Sequence, residues 1–328
     1  IITPSFNQAQ YLEDTILSVL NQKYPNLEYI IIDGGSTDKS IEIIKKYEKY
    51  LSYWISEPDK GQSAAINKGF KKASGEIITW LNSDDKFLED TLFRISNHFR
   101  NSPDIGLIYG GVIFDEEKNK KGDFGYDNPC LERYLAGMAF PQPAAFFRRN
   151  LLQSTGYLNE QYHYGMDYDL FSRLALITPF KKTNDIFSYY RIHRESKSVK
   201  NYFLFIEEWI EIFIVLSKKL QLKRTINTLS DLRVFENYLK KNTYNGDIIS
   251  QIVQIDENKL LFYFLSYAIR GWYASGKFEE CKTILNYIKQ HYSRSLIAQE
   301  KGISYIENQL SYFPIPILKL WRKINATR

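Results

Sequence analysis

Four short stretches of this 328-residue chain gather residue types that do chemistry. They are Thr3-Pro4-Ser5-Phe6-Asn7, Asp33-Gly34-Gly35-Ser36-Thr37-Asp38, Glu57-Pro58-Asp59-Lys60-Gly61-Gln62 and Asn82-Ser83-Asp84-Asp85. Carboxylate oxygens are the ligands that hard divalent cations prefer, and an ionised carboxylate can take a proton from an attacking hydroxyl. Two later stretches add Asp167 and Asp169 in Gly165-Met166-Asp167-Tyr168-Asp169, and Arg191, His193 and Arg194. The arginines suit bidentate pairing with phosphate, or with surface acids. Each of the four stretches is also ordinary turn chemistry, because Asp-Gly and Asn-Ser-Asp are common turn residues. Their joint recurrence carries the inference.

The elements that must hold them alternate. Ile1-Ile2-Thr3 reads as a strand end broken by Pro4, and Leu12, Ile16, Val19 and Leu20 then fall on one helical face. Tyr29 to Ile32 is apolar at every position, the mark of a strand covered on both faces. Ser40 is positioned to cap a helix carrying Ile41, Ile44 and Tyr47. A third strand at Tyr53–Ser56, a helix through Ala65–Ala73, a fourth strand at 76–81 and a helix with Leu88, Leu92, Ile95 and Phe99 follow. Such alternation predicts a mostly parallel sheet flanked by helices, with ligands at the carboxyl ends of the strands. All four polar stretches follow strands. From about 201 onward the pattern is helical only, and a hairpin around Ser275-Gly276 looks like one tetratricopeptide-type pair. A single copy favours a packed helical appendage over a partner-binding repeat. The expected domains are 1–200 and 201–328.

Composition narrows the class. With 44% hydrophobic and 25% charged residues the chain is globular. The net charge of +5 is uneven: residues 201–328 hold 18 basic and 12 acidic side chains, the remainder 25 and 26. That imbalance is too diffuse for a nucleic-acid binder, and no zinc-finger or RNP motif accompanies it. Cys130 and Cys281 form neither a metal-ligand pattern nor a disulfide framework, so a reducing cytoplasm is expected. Leu260 to Ile269, the longest apolar run, is half a membrane span. Ile1 reads as mid-strand, so native residues are expected before it.

The six segments TPSFN, IIIDGGSTD, EPDKGQSAAINKG, WLNSDD, GMDYDLFSRL and YYRIHRESKS, in this order across residues 1 to about 198, resemble the family 2 glycosyltransferases. The resemblance implies an α/β GT-A nucleotide-diphospho-sugar transferase fold with an all-helical C-terminal extension that lies outside the match. It also implies an inverting reaction of the bacterial surface-polysaccharide type, using a UDP- or dTDP-sugar donor and a glycan or lipid-linked glycan acceptor. A divalent metal, manganese or magnesium, would stabilise the departing diphosphate.

Carried onto this chain, the family's DxD metal motif reads Asn82-Ser83-Asp84. Asp84 is the expected metal ligand, with Asp85 close by and His193 reaching the diphosphate or metal. Asn82 replaces the first Asp and brings no charge; it can still accept a hydrogen bond from ribose. Asp33 corresponds to the Asp that accepts a base N–H, Thr3, Pro4 and Ser5 to the loop along the nucleoside, and Asp59 and Lys60 to the donor-pocket lining. Asp167 matches the catalytic base, with Met166 where Glu is common and Asp169 structural. Plainer readings accompany each: a helix N-cap at Asn82–Asp85, a turn at Asp33, a solvated loop at Lys60, helix-terminal charge compensation at Asp167, a structural His193. The segment 190–198 is a candidate closing lid.

Pro314 to Arg328 mixes apolar and four basic residues with no acid, a composition that can lie on an anionic membrane surface. The expected location is cytoplasmic, on the inner face of the membrane; docking of Leu318 and Trp321 on the tail is the alternative. Competing functions are a nucleotidyltransferase, which the absence of Lys or Arg in TPSFNQAQ opposes, and a degenerate scaffold, which retained Asp84 and Asp167 oppose. A dinucleotide oxidoreductase lacks its GxGxxG.

Overall fold

The computed structural model describes residues 1–114, 122–241, 253–300 and 302–319. Two compact units emerge: Ile1–Pro129 with Met138–Ser196, and Cys130–Gly137 with Lys197–Arg328.

In the first unit, β1 (Ile2–Ser5), α1 (Ala9–Leu20), β2 (Ile30–Asp33), α2 (Ser40–Tyr47), β3 (Tyr53–Ser56) and α3 (Gln62–Lys72) follow the expected alternation. The three strands are parallel in the order β1-β2-β3, with Ile2 opposite Ile30 and Ser5 opposite Asp33. Every residue of β2 is buried, as a central two-sided strand requires. Ile31 joins Leu12, Ile16, Val19 and Ile44 in one cluster. Successive side chains alternate faces, and α3 packs against β1 and β2 so closely that a Cβ on Gly69 would lie 2.5 Å from Ile2 Cγ2.

The fourth strand divides. Only β4 (Ile77–Ile78) is regular; just beyond it Ile2 donates to Thr79 O (3.1 Å) and Leu81 donates to Ile2 O (2.9 Å), so this stretch also runs parallel beside β1. Then come β5 (Lys86–Phe87), α4 (Thr91–Arg100), β6 (Leu107–Ile113), α5 (Leu131–Ala136), β7 (Ala145–Arg148), α6 (Leu152–Thr155), α7 (Met166–Ala175) and β8 (Phe180–Tyr189). The second sheet has the order β4-β7-β6-β8-β5; only β6 and β8 are parallel in it. Residues 86–87 are therefore an edge strand, which their brevity hid. Ser40 is not the helix cap expected of it: it is the first residue of α2, and its Oγ accepts from Gln8 N (3.2 Å) instead.

The second unit joins α5 to α8 (Lys197–Lys200), α9 (Tyr202–Lys219), α10 (Lys223–Asp231), α11 (Glu236–Lys241), α12 (Glu257–Ser275), α13 (Phe278–His291), α14 (Arg294–Ala298) and α15 (Ile303–Tyr312). α12 is its axis. Asp256 caps it by accepting from Asn258 N and Lys259 N, and Gly276 ends it with φ +78°, the left-handed conformation glycine supplies freely. The expected hairpin is thus α12 and α13. α12 also packs on α5 and α9, with Phe213 and Phe264 stacked. Among the described residues no helix is long and apolar enough to cross a membrane. Ile315 and Leu318 are buried, while Leu320, Trp321, Arg322 and Lys323 of the expected amphipathic segment lie outside the described residues.

Candidate active site

The loops after β1, β2 and β3 are laced together. Asn7, at φ +52°, donates its N–H to Ser36 Oγ (2.8 Å) and accepts from Thr37 N (2.8 Å), and Ala9 N donates to Asp38 (2.9 Å). Asp33 is fully buried and accepts from Gly35 N, Ser36 N, Ser36 Oγ and Ser56 Oγ. Three of these bonds end on Oδ2 and one on Oδ1, so as placed it shapes its own loop. Gly34 admits the Asp59 carboxylate, which a Cβ would meet at 3.0 Å. Asp59 also accepts from Gly61 N (2.7 Å), while Lys60 is exposed. Thr3, Pro4 and Ser5 are buried; Thr3 Oγ1 pairs with the Tyr29 hydroxyl (3.1 Å), whereas Ser5 Oγ has no hydrogen-bond partner among the described residues.

After the fourth strand, Asn82 accepts from Gln62 Nε2 (2.8 Å) and Ser83 is buried. Asp84 Oδ2 lies 3.0 Å from His193 Nε2, so the two residues expected at the metal do meet, 109 positions apart. The structure does not bring Asp85 to them. Its oxygens accept from Arg191 N (3.0 Å) and Asn82 Nδ2 (3.3 Å); burial, reinforced by the Asp84 charge, pushes its carboxyl well above the usual carboxylate range. Among the described residues no three His, Cys, Asp or Glu side chains converge on a metal position. One carboxylate and one imidazole nevertheless fit a divalent ion whose remaining ligands come from substrate phosphates and water.

Asp167 is half-buried in the first turn of α7, its Oδ1 accepting from Tyr168 N (2.8 Å). Asp169 is held by Arg173 (2.7 Å), which also binds the Thr155 and Tyr157 carbonyls, as a structural acid would be. The first turn of α3 links the halves: Gln62 reaches Asn82, and the next residue, Ser63, reaches the Tyr162 carbonyl (3.0 Å) and Met166 Sδ (2.7 Å). Asn67, one turn on, bonds both the carbonyl and N–H of Leu158. Gln62 and Ser63 lie within the segment EPDKGQSAAINKG, where the sequence assigns them no role. Tyr11 and Thr15 of α1 lie outside every motif of the sequence; Tyr11 packs on the His193 ring at 4.6 Å between centroids, and Thr15 Oγ1 lies 2.9 and 2.7 Å from the Ser83 and Asp85 carbonyls. A hydroxyl inside the buried stripe of a helix was the available signal.

A family profile described as "Glycosyl transferase family 2" matches residues 1–155. An uncharacterized glycosyltransferase of Mycobacterium tuberculosis is 30% identical over 185 residues, covering 54% of this chain and 68% of that protein. The chain belongs to the family 2 glycosyltransferases. An uncharacterized glycosyltransferase of Haemophilus influenzae is 45% identical over 129 residues, 37% of this chain; the match spans about half, 49%, of that relative. The putative teichuronic acid biosynthesis glycosyltransferase TuaG of Bacillus subtilis is 41% identical over 95 residues, 28% of this chain and 38% of TuaG. Among solved structures, S. aureus TarS 1–349 in complex with UDP-GlcNAc superposes with a TM-score of 0.56 at 17% identity, covering 89% of this chain and 92% of TarS 1–349. That likeness shows the shared fold.

Proposed function

We propose that this transferase moves a sugar, with inversion, from a UDP- or dTDP-sugar to a glycan or lipid-linked glycan acceptor in surface polysaccharide synthesis. The observation that carries it is the meeting of Asp84 and His193 beside Asn82, joined through Gln62 and Ser63 to the turn that bears Asp167. The TarS complex supports a uridine nucleotide and TuaG a polysaccharide role.

Asp84 and His193 would hold a divalent metal, manganese or magnesium, whose charge offsets that developing on the leaving diphosphate. Asp167 accepts the proton of the acceptor hydroxyl as its oxygen attacks the anomeric carbon. Thr3, Pro4, Ser5 and Asp33 shape the nucleoside end, Asp59 and Lys60 flank the donor, and Ser83 is the buried spacer that turns Asp84 outward. Asp85 serves by fixing the 82–85 turn to Arg191. The basic C-terminal stretch brings the enzyme to an anionic membrane bearing the acceptor. Substituting Lys319, Arg322 and Lys323 by Glu should then lower co-sedimentation with anionic liposomes, and unchanged binding removes that part. The main test is release of nucleoside diphosphate from UDP-GlcNAc, other UDP-sugars and dTDP-sugars with manganese. Slow, metal-dependent turnover of one donor supports the reading, and no turnover of any by folded protein opposes it.

A further inference from the structure

The turn that presents Asp84 is held from α1. Leu12, Thr15, Ile16 and Val19 form the buried stripe of that helix, and Tyr11 lies one turn before Thr15. Thr15 is fully buried. A threonine inside a helix ordinarily satisfies its hydroxyl on the carbonyl four residues back. Here that carbonyl, Tyr11 O, is the most distant of three acceptors at 3.4 Å, whereas Asp85 O is at 2.7 Å and Ser83 O at 2.9 Å. One hydroxyl proton serves one acceptor at a time, and the two shorter contacts lie on the carbonyls that bracket Asp84. The hydroxyl therefore fixes the backbone that aims this carboxylate.

Tyr11 holds the other half of the pair. Its ring packs on His193, and the Arg191 guanidinium lies over it at 4.5 Å. Arg191 also donates its backbone N–H to Asp85 (3.0 Å) and meets Asp14 of α1 at 3.1 Å. Ser196 closes the loop: His193 N donates to Ser196 Oγ (3.1 Å) and Ser196 N donates to His193 O (3.0 Å). Asp14 is more than half exposed, so its ion pair contributes little. None of these contacts needs a ligand.

We infer that Thr15 and Tyr11 are positioning residues for the phosphate end of the site: Thr15 aims Asp84, and Tyr11 holds His193 against it. The catalytic consequence rests on the reading of Asp84 and His193 as the metal pair; the anchoring itself does not. Two pairs of variants in the full chain separate the roles, Thr15→Val against Thr15→Ser and Tyr11→Leu against Tyr11→Phe. The ligand-free readout is amide hydrogen exchange. Thr15→Val should speed exchange at the Asp85 amide, and Tyr11→Leu at the His193 and Ser196 amides, with β2 unchanged and the conservative partners returning to wild-type protection. The second readout is manganese affinity in the presence of UDP. It should fall by about tenfold or more in Thr15→Val and Tyr11→Leu, the usual worth of an outer partner of a metal ligand, and recover in Thr15→Ser and Tyr11→Phe. Metal-free UDP binding should not change.

Unaltered exchange in both disruptive variants overturns the anchoring, as does equal loss in the conservative ones. Should Thr15→Val fail to fold, Thr15→Ala, which also lacks the hydroxyl, takes its place with the same expected exchange and manganese affinity. If the wild type binds neither UDP nor manganese, the functional reading fails, while the exchange data still decide the anchoring.

Discussion

Replacing Arg133 by Met should cost the helical unit about 3 kcal/mol, the low end for breaking a buried ion pair. Arg133 of α5 and Glu300 lie 2.5 Å apart with side chains only 6% and 2% exposed. The guanidinium also stacks 3.6 Å from the centre of the Tyr263 ring of α12. Removing Arg133 leaves a carboxylate in the interior, though not an abandoned one: Arg270 lies 3.7 Å from the other Glu300 oxygen. That second cation is why the low end applies. With a urea slope of about 2 kcal/mol per M, the midpoint should fall by about 1.5 M. The matching test is the double variant Arg133→Met/Glu300→Met. It deletes both charges at similar volume and should recover most of the loss, because well-packed apolar replacements of buried pairs are often neutral or better. Urea unfolding followed by circular dichroism at the helix signal, with the four members of the cycle, reads all of this. A loss below about 0.5 kcal/mol in Arg133→Met, within the range of a surface substitution, or a double variant less stable than either single one, would mean that Glu300 does not depend on Arg133.

Three further outcomes are expected. Asp167→Asn should lower transfer by about a hundred- to ten-thousand-fold, the worth of a positioned base, with UDP binding by calorimetry intact; normal turnover removes Asp167 from that role. Exchanging Asn82 for Asp restores the charge that this chain's motif lacks, and manganese affinity in the presence of UDP should rise, whereas a fall would mean that the Gln62 contact matters more. Gly69→Ala sets two effects against each other. Helix propensity favours Ala by about 1 kcal/mol, but the new Cβ meets fully buried Ile2 at 2.5 Å. Overpacking should win, with a net loss of about 1 kcal/mol in thermal or urea unfolding; a gain would show that Ile2 yields freely.

The parallel half of the fold was legible because its signals are local. The apolar run Tyr29–Ile32 and the stripe Leu12, Ile16, Val19 state their burial in the sequence, and the polar loops follow the strands as parallel topology requires. Less local facts left weaker traces. A two-residue strand such as Lys86–Phe87 has no periodicity to detect, and it pairs with Tyr189 and Ser188 about a hundred positions away. Nothing in Leu131–Ala136 signals that it packs with helices beyond residue 197. At the site, the family resemblance gave the expectation that Asp84 and His193 lie together, and their side chains meet at 3.0 Å. It could not show that Asp33 accepts from Gly35, Ser36 and Ser56 or that Asp85 faces inward, because both depend on which N–H and O–H groups the folded chain presents. Thr15 left one local trace, a hydroxyl inside a buried helical stripe, but its partners lie 68 and 70 positions away and Tyr11 left none.

Calorimetric titration of the wild type and Asp84→Ala with UDP, dTDP and GDP, each with and without manganese, decides whether Asp84 holds a metal at a nucleotide site. UDP or dTDP should bind the wild type tightly only when manganese is present. Asp84→Ala should lose that manganese dependence while its fold is kept. Binding of no nucleotide by folded wild type, or equal manganese-dependent binding by Asp84→Ala, would contradict it.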